Sequence, residues 1–224
     1  MSKTTLLITV AFIVSIGVSV FSINTDTNYQ SLKKELKVSH VLHNTDRKLP
    51  IFSLIDHNES PYNNARLKDK WTLVTFIYTH CPDVCPTILM DMVSLKTILK
   101  DSSLQTTPEF VAITFDPKRD TPKVLKTYMT YFDKDFMGVS GDQGQIDRLI
   151  KPFGTYYERS IEIDGKTVLI PNGQVMPDGV NSYSINHTAW LYLLSPDGQI
   201  FAGFPAPHKP REMAKDIKLI IDNY

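Results

Sequence analysis

The sequence holds little cysteine and no excess of charge of either sign. Two cysteines occur among 224 residues, and 24 basic side chains balance 24 acidic ones, so the formal net charge is zero. A protein that binds nucleic acid through its phosphates needs a basic excess, so no nucleic-acid partner is expected. There is also no internal repeat and no low-complexity tract. The remaining composition, 42% hydrophobic and 21% charged, is typical of a globular protein and predicts one folded domain after the N-terminal segment.

The N-terminal segment carries a membrane signal. Residues 6–23, LLITVAFIVSIGVSVFSI, contain no charged side chain and follow a short stretch with Lys3. This run is longer than the core of a usual signal peptide, which favours a retained transmembrane anchor in residues 1–23 over a cleaved signal. It is not Arg-rich like a mitochondrial transit peptide, and it has no cysteine that could carry a lipid. We therefore expect a polar tether over residues 24–46 and an exported domain over residues 47–224.

Both cysteines lie in one stretch, residues 71–86, WTLVTFIYTHCPDVCP. Its first half is rich in β-branched and aromatic residues, which predicts a buried strand. From Cys85 onward the apolar residues recur at helical spacing, which predicts a helix that begins at the cysteine turn. Free backbone N–H groups and the helix dipole favour a thiolate at such a place. Cys81 and Cys85 are four residues apart, a spacing that suits either a disulfide or two ligands on one metal ion.

The rest of the chain alternates between predicted strands and helices. Strands are predicted over residues 49–56, 110–115, 137–139, 189–194 and 199–202, and helices over residues 122–132, 143–153 and 210–222. Glycine-containing turns punctuate residues 155–184, which predicts hairpins or a surface excursion. This order predicts an α/β protein with a thioredoxin-like fold, in which a central mixed sheet is flanked by helices. Fold alone does not select a chemistry.

Three blocks of the chain resemble the signature blocks of the Sco/SenC family. They are THCPDVCP at residues 79–86, FDPKRDTP at residues 115–122 and NHT at residues 186–188. The resemblance runs in order from about residue 47 to the C-terminus. It implies a membrane-anchored, thioredoxin-like copper metallochaperone that helps to assemble the binuclear copper site of cytochrome c oxidase.

The resemblance also implies the copper ligands. In the family two cysteines and one histidine hold the ion, and they fall here on Cys81, Cys85 and His187. Two soft thiolates suit Cu(I) and an imidazole also suits Cu(II), so this set can hold either oxidation state. The chain has Asn186 where the family usually has an aspartate, which removes a negative charge beside the predicted site.

The family further implies the partners and the location. The expected partners are the copper-bearing subunit of cytochrome c oxidase and other copper chaperones or thiol reductants. The expected location is the bacterial inner membrane, with a single anchor and the domain facing the periplasm.

Two more side chains are candidates for supporting roles, and two methionines are not. His80 adjoins Cys81, but adjacent residues seldom point at one ion, so we expect it to tune the pKa of the cysteine rather than to bind the metal. Asp116 ends the strand next to the cysteine strand, where it either orients a ligand or accepts a proton, or simply starts a loop. Met90 and Met92 fit core positions of the predicted helix.

Two other functions remain open for the cysteine pair. A thiol-disulfide oxidoreductase also places its cysteines at a helix N-terminus, usually with two intervening residues where this chain has three. A permanent structural disulfide is common in exported proteins, although one that closes so small a loop stabilises little. The sequence therefore predicts a copper metallochaperone, keeps the oxidoreductase as the alternative, and leaves enzyme activity undecided.

Overall fold

The structure is a computed structural model that describes residues 31–42, 47–104, 106–177, 179–180 and 182–224. The anchor predicted in residues 1–23 lies outside these ranges. Within them, no helix has both the length and the apolar character that crossing a bilayer requires.

The described residues form strands, helices and two short 3-10 helices, and residues 31–35 are also helical. The strands are β1 (His40–Val41), β2 (Ser53–Asp56), β3 (Pro61–Asn63), β4 (Thr72–Ile77), β5 (Glu109–Thr114), β6 (Met137–Ser140), β7 (Tyr157–Ile163), β8 (Lys166–Pro171), β9 (Ser184–His187), β10 (Trp190–Leu194) and β11 (Ile200–Pro205). The helices are α1 (Val84–Asp101), α2 (Pro122–Phe132), α3 (Gln143–Leu149) and α4 (Pro210–Asp222), and the 3-10 helices are Asn64–Leu67 and Lys151–Phe153.

A central mixed sheet of eight strands organises the fold. Its order is β1-β11-β10-β4-β5-β6-β2-β3, in which β4, β5 and β6 run parallel and the other pairings are antiparallel. All six residues of β4 are buried, as a parallel strand covered on both faces requires. The predicted α/β class with a central mixed sheet is confirmed.

The helix that follows β4 packs one stripe of side chains into the core. Cys85, Leu89 and Met92 lie on that stripe and are completely buried. Met90 is 55% exposed, so its predicted core position is wrong. The reason is geometric, because two helical positions separate Met90 and Met92 by more than half a turn.

Two predicted elements are shorter in the structure. The helix expected over residues 143–153 ends at Leu149, and a 3-10 helix with Pro152 follows it. Proline has no N–H to donate to the preceding turn, which explains the break. The strand expected over residues 49–56 begins only at Ser53.

The excursion predicted over residues 155–184 is a separate three-stranded sheet. Its order is β8-β7-β9, and both pairings are antiparallel. Asp164 and Gly165 form the turn between β7 and β8, and both have positive φ angles, 50° and 72°. His187 is the last residue of β9, so a strand rather than a loop carries it.

Residues 31–42, the described part of the predicted polar tether, pack against the domain. Leu32 is buried, and β1 pairs with β11. The carboxylate of Asp216 on α4 accepts the backbone N–H groups of Lys37, Val38 and Ser39 at 2.9–3.1 Å. These residues are polar in composition. They are held by the buried carboxylate of Asp216, which lies 179 positions after Lys37 in the sequence. The domain boundary at residue 47 itself stays a prediction.

Candidate metal centre

The first half of the centre, the cysteine arm, comprises residues 78–85 between β4 and α1. The backbone N–H of Cys81 donates to the carbonyl of Tyr78 at 3.2 Å, which closes the turn. In the first turn of α1, the backbone N–H of Cys85 donates to Sγ of Cys81 at 3.3 Å. Neither cysteine forms a disulfide, and Cys81 is 9% exposed while Cys85 is fully buried. The predicted helix-start position of the pair is therefore present.

The second half, the histidine arm, comprises residues 183–188 around β9. The ring of His187 lies 5.1 Å from that of Phe115 and edge-on to Tyr78 at 6.1 Å, measured between centroids. Its Nδ1 is 3.0 Å from the carbonyl oxygen of Thr188. A carbonyl only accepts, so Nδ1 carries the proton and Nε2 keeps its lone pair. That lone pair is the part of the ring that can bind a metal.

The two arms meet at three donor atoms. Nε2 of His187 is 3.3 Å from Sγ of Cys85, and these two atoms and Sγ of Cys81 all lie within 4.8 Å of one another. Among the described residues, no other three His, Cys, Asp or Glu side chains converge in this way. Two sulfurs and one imidazole nitrogen suit a soft or borderline cation such as copper. A cavity of about 360 Å³ opens beside them, lined in part by Pro82 and Asn186.

The pKa values of the two cysteines are shifted in opposite directions. The hydrogen bond with Cys85 lowers the pKa of Cys81 to about 3, helped by the contact with His187 and by backbone N–H groups, although burial opposes this. The same contact with Cys81 raises the pKa of Cys85 well above its ordinary value, and burial adds to the effect. Negative charge therefore sits on Cys81, the more accessible sulfur, while Cys85 keeps its proton.

A buried carboxylate that the sequence analysis missed fixes the start of the cysteine arm. Asp120 accepts the backbone N–H of Thr79 at 3.0 Å and the hydroxyls of Thr79 and Thr114 at 2.5 Å each. Burial raises the pKa of Asp120, and these hydrogen bonds counteract the rise. The available signal was the second aspartate of the block at residues 115–122, two positions before Pro122, where α2 begins.

His80 and Asp116, the two supporting candidates, point to neighbours other than the three donors. The polar contacts described for His80 are with Thr79 at 3.2 Å and Asp120 at 3.9 Å, and its side chain is 55% exposed. Asp116 accepts the hydroxyl of Tyr183 at 2.7 Å and Nε of Arg119. A tuning role for His80 stays a prediction, and Asp116 reaches the centre through Tyr183 on the histidine arm.

Comparison with known proteins identifies the family of the chain. The family model described as SCO1/SenC matches residues 42–222. The chain belongs to the SCO1/SenC family. In this SCO1/SenC chain, the block at residues 79–86 lies in the cysteine arm and the start of α1. The block at residues 115–122 forms the turn with Asp116 and Asp120, and the block at residues 186–188 is the end of the histidine arm.

Three relatives illustrate the similarity. A putative copper-binding protein of Stutzerimonas stutzeri is 33% identical over 178 residues, which cover 80% of this chain and 79% of the relative. The structure of Bradyrhizobium japonicum ScoI with copper bound is 33% identical, with a TM-score of 0.60, and the match covers 76% of this chain and 97% of that one. BsSco, a member of the Sco family of cytochrome c oxidase assembly proteins, is 21% identical with a TM-score of 0.57, over 78% of this chain and 94% of that one. At that identity BsSco supports the fold alone.

Proposed function

We propose that this SCO1/SenC protein is a copper metallochaperone in which Cys81, Cys85 and His187 hold the ion. The observation that carries the proposal is the convergence of the two sulfurs and Nε2 of His187 within 4.8 Å. The copper named for the Stutzerimonas protein and for Bradyrhizobium ScoI supports the choice of ion.

The donor set explains how an ion is held and yet stays transferable. Cys81 is a thiolate before any metal arrives, whereas Cys85 releases its proton when it binds. His187 contributes Nε2 while its Nδ1–H stays bonded to Thr188. Three protein donors leave one side open toward the cavity at Pro82 and Asn186, so an acceptor's own ligands can replace them one at a time.

We infer the acceptor from the family and the location from the leader. Membership of the SCO1/SenC family supports the copper-bearing subunit of cytochrome c oxidase as the acceptor, with other copper chaperones or thiol reductants as further partners. The uncharged run at residues 6–23 supports a single anchor in the bacterial inner membrane with the domain in the periplasm.

An anaerobic copper titration of the reduced full-length protein tests this function. We expect one copper ion per chain, and a loss of Cu(II) affinity on the order of 100-fold in His187→Ala, because the variant loses its only imidazole donor at the site. His40→Ala is the matched control, since His40 is exposed and stacks on Trp190. It should bind copper like the wild type.

The same proteins separate the chaperone from an oxidoreductase. An enzyme of that class would bind copper weakly and would reduce disulfides at the same rate in the wild type and in His187→Ala. Such turnover, with no stoichiometric copper binding, would contradict the proposed function.

A further inference from the structure

The turn at residues 114–120 touches both arms of the centre. On one side Asp120 binds Thr79 of the cysteine arm. On the other side Asp116 binds Tyr183 of the histidine arm. Thr114 links the two carboxylate residues, because its hydroxyl donates to Asp120 at 2.5 Å and accepts the backbone N–H of Asp116 at 2.8 Å. One short segment therefore holds the two arms in a fixed relation.

Arg119, in this turn, contacts residues of both arms. Its Cζ lies 3.7 Å from the centroid of the Tyr183 ring, and its Nη1 donates to the backbone carbonyl of Tyr183 at 3.0 Å. Nε donates to the carboxylate of Asp116, which is 1% exposed. The ring of Tyr78, from the cysteine arm, lies 5.8 Å from Cζ of Arg119. The guanidinium is thus within 6 Å of one aromatic ring from each arm, Tyr78 and Tyr183.

The histidine arm is held along its length by the pairing of β9 with β7, by the buried side chain of Ile185 and by the His187 ring against Phe115, and the contact with Arg119 adds a hold at its first residue. β9 has four residues and is an edge strand that pairs only with β7. Tyr183 immediately precedes β9 and lies four positions before His187. Beyond the end of the strand, Thr188 exchanges hydrogen bonds with Tyr156. The contacts at Tyr183 therefore fix the start of the strand whose last residue is His187.

We propose that Arg119 and Tyr183, oriented by Asp116, are positioning residues that hold His187 over the cysteine pair. This inference rests on the proposed copper function and assigns a role to the middle block of the family motif. The carboxylate of Asp116 neutralises and orients the guanidinium, and the guanidinium fixes both the ring and the backbone of Tyr183. The imidazole of His187 is therefore in position before the ion binds, and binding does not have to order the strand.

A positioning role predicts a selective effect on the two oxidation states. Cu(I) is satisfied by two thiolates, whereas Cu(II) depends more strongly on the imidazole. Tyr183→Phe removes the hydrogen bond to Asp116 but keeps the ring, and Arg119→Lys keeps the charge but loses the planar stack. We expect either change to lower Cu(II) affinity roughly 10-fold or more and Cu(I) affinity less than about threefold.

The affinities are measured by chelator competition on the full-length protein, with Tyr131→Phe as the matched control because Tyr131 is 84% exposed. In the His187→Ala background Tyr183→Phe should have no further effect on Cu(II). Equal losses for Cu(I) and Cu(II), or a Tyr183→Phe loss that persists without His187, would overturn the positioning role.

A copper-free measurement keeps this inference separable from the proposed function. In the apo protein, Tyr183→Phe should speed amide hydrogen exchange of residues 184–188 about 10-fold and leave residues 79–86 unchanged. If copper binding fails in the wild type but this exchange pattern appears, the copper function is wrong and the positioning role stands. Unchanged exchange at residues 184–188 would overturn the positioning role.

Discussion

The two arms of the centre are built in opposite ways. The cysteine arm continues β4, an interior strand whose six residues are all buried between β5 and β10, and leads into an 18-residue helix. The histidine arm is a four-residue edge strand of a separate three-stranded sheet. Core packing on both faces fixes the sulfurs, whereas the imidazole is fixed by the pairing of β9 with β7 and by a few side-chain contacts. We infer that the cysteine arm supplies most of the affinity and that the histidine arm sets oxidation-state preference and release.

The largest expected effect comes from breaking the cysteine arm. Cys85→Ser replaces a soft sulfur by a hard oxygen that stays protonated, so Cu(I) affinity should fall by at least about 100-fold, more than typical changes outside the ligands. Ser94→Ala, at an exposed position of the same helix, is the control. Chelator competition gives both affinities. If His187→Ala costs Cu(I) more than Cys85→Ser does, the division of roles between the arms is reversed.

The two cysteines should differ in their reactivity because their pKa values are shifted in opposite directions. Because the pKa of Cys81 is lowered to about 3, its thiolate is populated at any pH above that value, so its alkylation by iodoacetamide should be nearly flat between pH 5 and 8. Below about pH 3 the thiolate is protonated and the reaction should stop. Cys85, whose pKa is raised, should stay unmodified throughout. Peptide mapping by mass spectrometry measures both sites.

His187→Ala provides the control for this pH profile. The contact with His187 helps to lower the pKa of Cys81, so His187→Ala should move the onset of alkylation to higher pH. A wild-type rate that rises tenfold per pH unit between 6 and 8 would show that Cys81 has an ordinary pKa. Faster modification of Cys85 than of Cys81 would likewise contradict the assignment.

The smallest effect is expected at Asn186, the departure from the usual family aspartate. Its Nδ2 donates to Glu158 at 3.4 Å, and the side chain is exposed. In Asn186→Asp the new charge favours a bound cation, but water screens it and Glu158 repels it. Copper affinity should therefore rise by less than about threefold in a chelator competition. A change above tenfold would mean that residue 186 acts directly on the ion.

Local sequence signals predicted the cysteine arm well and the histidine arm poorly. The β-branched run before Cys81 and the helical spacing after Cys85 are local patterns, and they produced β4 and α1 nearly as expected. The small sheet was recognised only as turns and short apolar pieces, because antiparallel pairing such as Tyr157 with His187 joins residues 30 positions apart that no local periodicity records.

The supporting contacts were missed for a related reason. Arg119 and Tyr183 are 64 positions apart, and the local sequence around either residue does not predict that they are in contact. Asp120 falls between the strand predicted over residues 110–115 and the helix predicted over residues 122–132, and no local pattern indicates that its carboxylate is fully buried and bonded to Thr79. Only the family resemblance brought His187 to the cysteine pair before the fold was known.

The most direct test of the centre is X-ray absorption spectroscopy at the copper edge of the Cu(II)-loaded, full-length protein. The account predicts two sulfur neighbours and at least one imidazole nitrogen on a single copper ion, with the nitrogen contribution lost in His187→Ala. A spectrum with two sulfurs that is identical in the wild type and in His187→Ala would contradict it.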